Sequence, residues 1–245
     1  MAEFDRPTIA AARAGTAAAI DEGLRSYMLK VYNYMGIGLV VTGLVSYFSA
    51  QAAVADGQLT AWGSLIFQSP LMWVIAFAPL AFVLVLSFGI NKLSAGTAQI
   101  LFWVFSAVMG LSLSSIFMVY TDASIAKVFF ISAATFGAMS LYGYTTKRDL
   151  TGVGNFLIMG LIGLVIASIV NIFLASSMLD FAISAIGVLI FVGLTAYDTQ
   201  KVKESYDSGL GAEVLQKSAV MGALNLYLDF INLFLMLLRL FGNRE

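Results

Sequence analysis

Leu224-Asn-Leu-Tyr-Leu-Asp-Phe-Ile-Asn-Leu-Phe-Leu-Met-Leu-Leu-Arg-Leu-Phe-Gly-Asn243 is long enough to cross a bilayer, yet it carries an acid, Asp229, inside it. A carboxylate at the centre of a spanning helix costs about 2.5 to 3.5 kcal/mol on insertion, so it persists where it is paired, hydrated or functional. At about 100° per residue, Gly222, Asn225, Asp229, Asn232, Met236 and Arg239 fall within a sector of about 100°, while Leu224, Leu228, Phe230, Leu235 and Leu238 lie elsewhere. A polar stripe on an apolar helix must face protein or water. The stretch therefore needs other helices around it.

Composition supplies them. Of 245 residues, 60% are hydrophobic and only 11% charged, which defines an all-α polytopic membrane protein. Seven apolar runs of spanning length recur: Tyr27 to Ser49, Pro70 to Ile90, Thr97 to Tyr120, Ile125 to Tyr144, Asn155 to Leu174, Phe181 to Gln200 and Val220 to Phe241. None alternates apolar and polar residues as a barrel strand would. The organisation expected is a polar, Ala-rich cytosolic tail over residues 1–26, weakly helical or mobile, and a single seven-helix transmembrane domain over 27–245. The tail has no compact apolar core followed by a small-residue cleavage site, so it does not read as a signal peptide. Connections are short except Ala50 to Gln68 and Val202 to Ser218, and no extramembrane domain fits.

Several functions are excluded. A net charge of −1 offers no basic field for nucleic acid. Without Cys there are no disulfides, thiolate metal sites or thiol nucleophiles, and without His there is no Ser-His catalysis and no imidazole-held metal. Proton chemistry near neutrality falls to carboxyl groups. No tightly bound cofactor is implied.

Lys and Arg concentrate on one side. Arg6, Arg13, Arg25 and Lys30 accompany the tail, Lys92 the second connection, Lys147 and Arg148 the fourth, and Lys201, Lys203 and Lys217 the sixth. The first and fifth connections have none, the third has at most Lys127, and Arg239 and Arg244 lie at the C-terminus. The bias predicts a cytosolic N-terminus and an external C-terminus. Within the spans, small residues four apart (Ser106, Gly110 and Ser114; Ala133 and Gly137) predict close helix approach, and Pro79 predicts a bend.

A second acid, Asp198, lies near the inner end of the sixth run in Gly193-Leu-Thr-Ala-Tyr-Asp-Thr-Gln200. It sits about 5 Å inside Lys201, whereas Asp229 lies about 18 Å beyond Lys217 along a helix. The two acids meet only if the seventh helix begins in the cytosol and enters hydrocarbon near Leu224. That register also leaves a span of ordinary length. Two carboxylates in contact in a poorly hydrated site cannot both ionise cheaply and titrate as a coupled pair. Ionised, they offer the hard oxygens Ca²⁺ prefers, but fewer than the six to eight of a tight site, so binding would be weak and transient. The plainer alternative is an acid pair that only fixes helix packing. Asn225, Asn232 and Tyr197 are candidate supporting ligands, although such residues more often only pack. Arg239 is a candidate countercharge or an interfacial, snorkelling arginine.

Thr195-Ala-Tyr-Asp-Thr-Gln200 and Asn225-Leu-Tyr-Leu-Asp-Phe-Ile-Asn-Leu-Phe234 together resemble the two signatures of the Bax inhibitor family, also called lifeguard proteins. The resemblance runs from about Tyr27 onward and includes the seven-span layout. It implies six helices wrapped around a central seventh, with Asp198 and Asp229 as a dyad that senses pH and governs a calcium leak. Calcium and protons would be the transported and sensed species, and the lipid bilayer the surrounding partner. Short loops and tail are similar to bacterial members, which implies the cytoplasmic membrane. Relatives latch the dyad with an arginine from the second span; Pro70 to Ile90 has none. Two other functions stay open. An intramembrane aspartyl protease would also carry paired aspartates, but here Leu226-Tyr-Leu228 precedes Asp229 in place of Gly-x-Gly, and no proline follows Pro79. A non-transporting membrane regulator of proteases or cell survival is the third. A retinal protein would need a lysine inside the seventh span.

Overall fold

The computed structural model describes residues 6–244, with side chains described from residue 21; residues 1–5 and 245, and the side chains of Arg6 and Arg13, lie outside the described residues. Helix α1 (Arg6–Ala53) runs from the Ala-rich segment into the first span without a break, as the high helix propensity of alanine favours. Beyond it, β1 (Val54–Ala55) and β2 (Gln58–Leu59) form a small antiparallel hairpin. Its two-residue turn, Asp56-Gly57, has φ of 51° and 73°, the left-handed conformations a tight hairpin requires and Asp-Gly adopts readily. Thr60 then accepts a hydrogen bond from Gly63 N–H and starts the short helix α2 (Ala61–Phe67). The long first connection is thus folded, a feature its composition did not announce.

The other spans are α3 (Leu71–Gly89), α4 (Ala95–Leu113, prolonged by a 3-10 turn at Ser114–Met118), α5 (Asp122–Thr145), α6 (Thr151–Leu174), α7 (Ser177–Glu204) and α8 (Ala212–Phe241). Among the described residues, seven helices are long and apolar enough to cross a membrane. Ser94, Thr121 and Ser176 cap α4, α5 and α7 by accepting from the amide three residues on, satisfying groups the helix itself leaves bare. Pro79 lies inside α3, which the backbone continues through.

Helix α8 occupies the centre. In its most apolar window 72% of residues are buried, against 6 to 39% in the other six spans. It packs directly on α7, α1, α5 and α4, while α3 packs on α4 and α6 on α7 as an outer layer. The Ser106, Gly110, Ser114 stripe does bring α4 close to α1: a Cβ on Gly110 would lie 2.7 Å from the Thr42 carbonyl oxygen, and Thr42 Oγ1 donates to Ser106 O at 2.8 Å. Gly137 does not act this way. Gly137 faces a cavity between α1 and α5 and has nothing nearby, and the tight approach of α5 is instead at Gly143, against the backbone of Ala196 in α7.

Antiparallel pairing of α7 with α8 fixes the depth of the acids. Gly222 abuts Val202 and Gly187 abuts Met236, so Asp198 and Asp229 lie between these two contacts. Since α7 ends at Glu204, two residues past Val202, α8 begins about 15 Å beyond Gly222, well outside the end of α7. That is the register in which the acids meet. It also shortens the sixth connection to residues 205–211, because both helices run past the expected Val202 to Ser218 loop.

Hydroxyl contacts tie this end together. Tyr27 OH lies 3.0 Å from Ser205 Oγ and 2.8 Å from Ser218 Oγ, and Ser140 Oγ of α5 bridges Tyr32 OH at 2.6 Å and Thr199 Oγ1 at 3.0 Å. At the opposite end the C-terminus returns to the α4–α5 connection, where Thr121 N–H donates to Asn243 O and Asn243 N–H to Ser124 Oγ.

Candidate functional site

Asp198 and Asp229 project toward each other from α7 and α8, their carboxyl groups within hydrogen-bonding reach. Such a bond requires one of the two to hold a proton, since an ionised carboxylate only accepts. Asp229 is 5% exposed and its Oδ2 has no hydrogen-bond partner among the described residues. A buried oxygen left bare calls for an explanation, such as a water, an ion or a working role. Asp198 is half-buried, and Lys201, one turn along α7, is the cation whose field reaches it.

Both acids line a cavity of about 370 Å³ between α6, α7 and α8. Asn225, Leu228 and Asn232 complete the α8 wall, Phe191 and Leu194 the α7 wall, and Ile158, Leu161 and Val165 close the third side from α6. The cavity exists because α6 is held by α7 and stands off from α8. Asn232 Nδ2 donates to Leu228 O at 2.8 Å, leaving its side-chain oxygen free for another donor or a cation.

The remaining candidates fall elsewhere. Tyr197 packs its ring against Gly154 of α6, with Lys201 Nζ 5.7 Å from the ring centre, and it does not line the cavity. Arg239 reaches Asp180 at 4.0 Å at the far end of the α7–α8 pair, with both side chains nearly half exposed. It is an interfacial ion pair of small energetic weight. No residue of α3 lines the cavity, so the second span supplies no latch; apolar side chains of α6 stand on that flank.

One important side chain carried no warning in the sequence. Gln200 Oε1 accepts from Leu150 N–H at 2.8 Å while its Nε2 donates to Arg148 O at 2.8 Å, which pins the α5–α6 connection and hence the start of α6. Asp149 in that connection accepts from Thr151 N–H at 2.8 Å, and the Thr151 hydroxyl, together with this amide, holds its carboxyl below the usual aspartate range. A depressed folded-state value gives stability that is present above the ordinary aspartate range and is lost as pH falls through the lowered value. Protection of the Thr151 and Gly152 amides, taken relative to the intrinsic exchange rate at each pH, will therefore fall in acid in the wild-type chain, and Asp149→Ala will show the reduced protection already at neutral pH. Equal protection in both proteins at neutral pH would remove this role for Asp149.

A bundle of seven helices long and apolar enough to span a membrane, wrapped on a buried central one, defines an integral membrane protein. The chain belongs to the family described as Inhibitor of apoptosis-promoting Bax1, whose sequence pattern matches residues 24–245. It is 54% identical over 227 residues to the inner membrane protein YbhL of Escherichia coli K12, covering 91% of this chain and 94% of that one. It is 52% identical over 225 residues to protein RP147 of Rickettsia prowazekii, covering 92% of each. Likeness to a Caulobacter vibrioides protein is 48% over 231 residues, or 93% of this chain and 92% of that one.

Proposed function

We propose that the protein is a proton-sensitive leak for cations, Ca²⁺ foremost, in a bacterial cytoplasmic membrane, with its N-terminus in the cytosol and its C-terminus outside. The observation that carries this reading is the meeting of Asp198 and Asp229 in a cavity within the spanning bundle, with Asp229 Oδ2 unpartnered. Intramembrane acids mark ion and proton pathways more often than packing contacts. Ca²⁺ enters as cargo: two carboxylates and two asparagine oxygens supply fewer ligands than a resident ion needs, which suits a passing, partly hydrated one. Protons compete for the same oxygens. Ionising the pair strengthens its attraction for a cation, and protonating it replaces that attraction with the hydrogen bond between the acids. Clustering of Lys92, Lys147, Arg148, Lys201 and Lys203 near one set of helix ends supports the orientation. The likeness to an inner membrane protein of Escherichia coli supports the location.

Calcium flux into liposomes holding the purified chain tests the leak. Wild-type flux will change by about tenfold between neutral and acid buffer, equivalent to roughly 1.4 kcal/mol at the barrier, and Asp198→Asn and Asp229→Asn will each flatten that response. Wild-type flux with unaltered pH dependence in both variants would remove the sensor. The family description favours a second reading, a membrane regulator acting on a protein partner. Flux from the purified chain alone separates the two. We read the pair as non-catalytic, because Leu226-Tyr-Leu228 puts bulk before Asp229 where an intramembrane aspartyl protease has glycines.

A further inference from the structure

The cavity holding the two acids is larger and more apolar than a bare cation needs. At about 370 Å³ it falls in the range of about 300 to 1,000 Å³ typical of small-molecule sites, which combine mostly apolar walls with a few convergent polar groups. Its polar side chains, Asp198, Asn225, Asp229 and Asn232, all come from α7 and α8. Ile158, Leu161 and Val165 of α6 form an apolar wall opposite. Ile158 is 40% and Val165 51% exposed, so this wall reaches the lipid-facing surface and gives apolar matter a lateral way in. One oxygen of the acid pair, Asp229 Oδ2, is buried and without a donor.

Charge narrows the ligand further. Two carboxyl groups that share a hydrogen bond hold at least one proton, so the pair carries at most one net negative charge. A divalent ion overcompensates that state, whereas a monovalent ammonium neutralises it and brings N–H donors for the bare oxygen. The cation closest by, Lys201, already lies over the Tyr197 ring. Aminophospholipid head groups fit poorly, since their phosphate would face two acids.

We propose that this cavity also binds lipophilic ammonium compounds, the nitrogen donating to Asp229 and Asp198 and the apolar body lying along the α6 wall. The inference rests on the same cation-attracting acids as the leak but is independent of transport.

The test is thermal unfolding of the full chain in phosphatidylcholine nanodiscs, free of Ca²⁺, with hexylammonium chloride or 1-hexanol at matched membrane concentration. Hexylammonium will raise Tm saturably, by roughly 5 °C at large excess over its Kd, beyond any shift from the alcohol. Asp229→Asn, nearly isosteric, will lose that difference; should it fail to fold, Asp198→Asn takes its place, and the wild-type comparison of amine with alcohol decides by itself. Equal shifts from amine and alcohol, or an undiminished amine shift in the asparagine variant, would overturn the site. Because Ca²⁺ is absent throughout, such a result leaves the leak untouched, and pH-independent flux would leave the ammonium site untouched.

Discussion

Gly143→Val will unseat α5 from α7 and lower stability by roughly 3 kcal/mol or more, a large share of the ~5–15 kcal/mol that holds a domain folded. A Cβ at Gly143 would collide with the Ala196 carbonyl oxygen and come within 2.9 Å of Ala196 C and Cα. These are backbone atoms of a helix, which cannot swing aside as a side-chain tip can. Relief requires the two helices to separate, and separation breaks the 3.0 Å contact between Ser140 and Thr199. It also displaces the turn of α7 that presents Asp198. Gly137 of the same helix is the internal control. It faces open space, so Gly137→Ala will be neutral or gain up to about 1 kcal/mol of helix propensity. Unfolding of both variants in mixed micelles measures the contrast. Equal stability of Gly143→Val and Gly137→Ala would refute the close contact.

That contrast also shows where reading from sequence stops. The seven runs were legible because any crossing segment must be about 20 apolar residues long, and the two acids were legible because charge inside such a run is costly. Even the register of α8 followed from asking how Asp198 and Asp229 could reach one depth. Which glycine touches a neighbour was not legible. Gly137 and Gly143 both lie in apolar surroundings, and lipid and protein solvate an apolar helix face alike. The same ambiguity hid the outer position of α3 and α6, whose bilayer-facing residues look like core. It hid the α6 wall of the cavity as well, since Ile158, Leu161 and Val165 have no chemistry to announce them. Arg239 and Tyr197 were drawn toward the site by sharing its helix faces or its motif. Rotation and distance placed Tyr197 against Gly154 and Arg239 at the far interface with Asp180.

Replacing both acids with leucine will leave the bundle at least as stable as wild type, and more stable by about 1 to 4 kcal/mol, while the calcium flux proposed for the wild type falls by about tenfold or more. The α7–α8 interface has ample apolar packing without them: Gly187 on Met236, Val202 on Gly222, and Phe191 and Leu194 buried nearby. The cavity of about 370 Å³ beside the acids gives two leucines room. Burying leucine in this apolar setting is favourable, whereas each carboxyl group must be desolvated and Asp229 Oδ2 recovers no bond for it. Asp198→Leu alone will behave differently. It strips Asp229 of its one hydrogen-bonding neighbour and leaves a buried acid unsatisfied, at a cost of roughly 1 to 3 kcal/mol. The single variant will thus be less stable than the double, a non-additivity expected of groups in contact or sharing one cavity. Unfolding midpoints of wild type, Asp198→Leu, Asp229→Leu and the double variant complete the cycle. If the pair serves to hold the helices together, the double variant will be the least stable of the four. If it is kept for moving ions at the expense of stability, the double variant will be the most stable of the four and will conduct least.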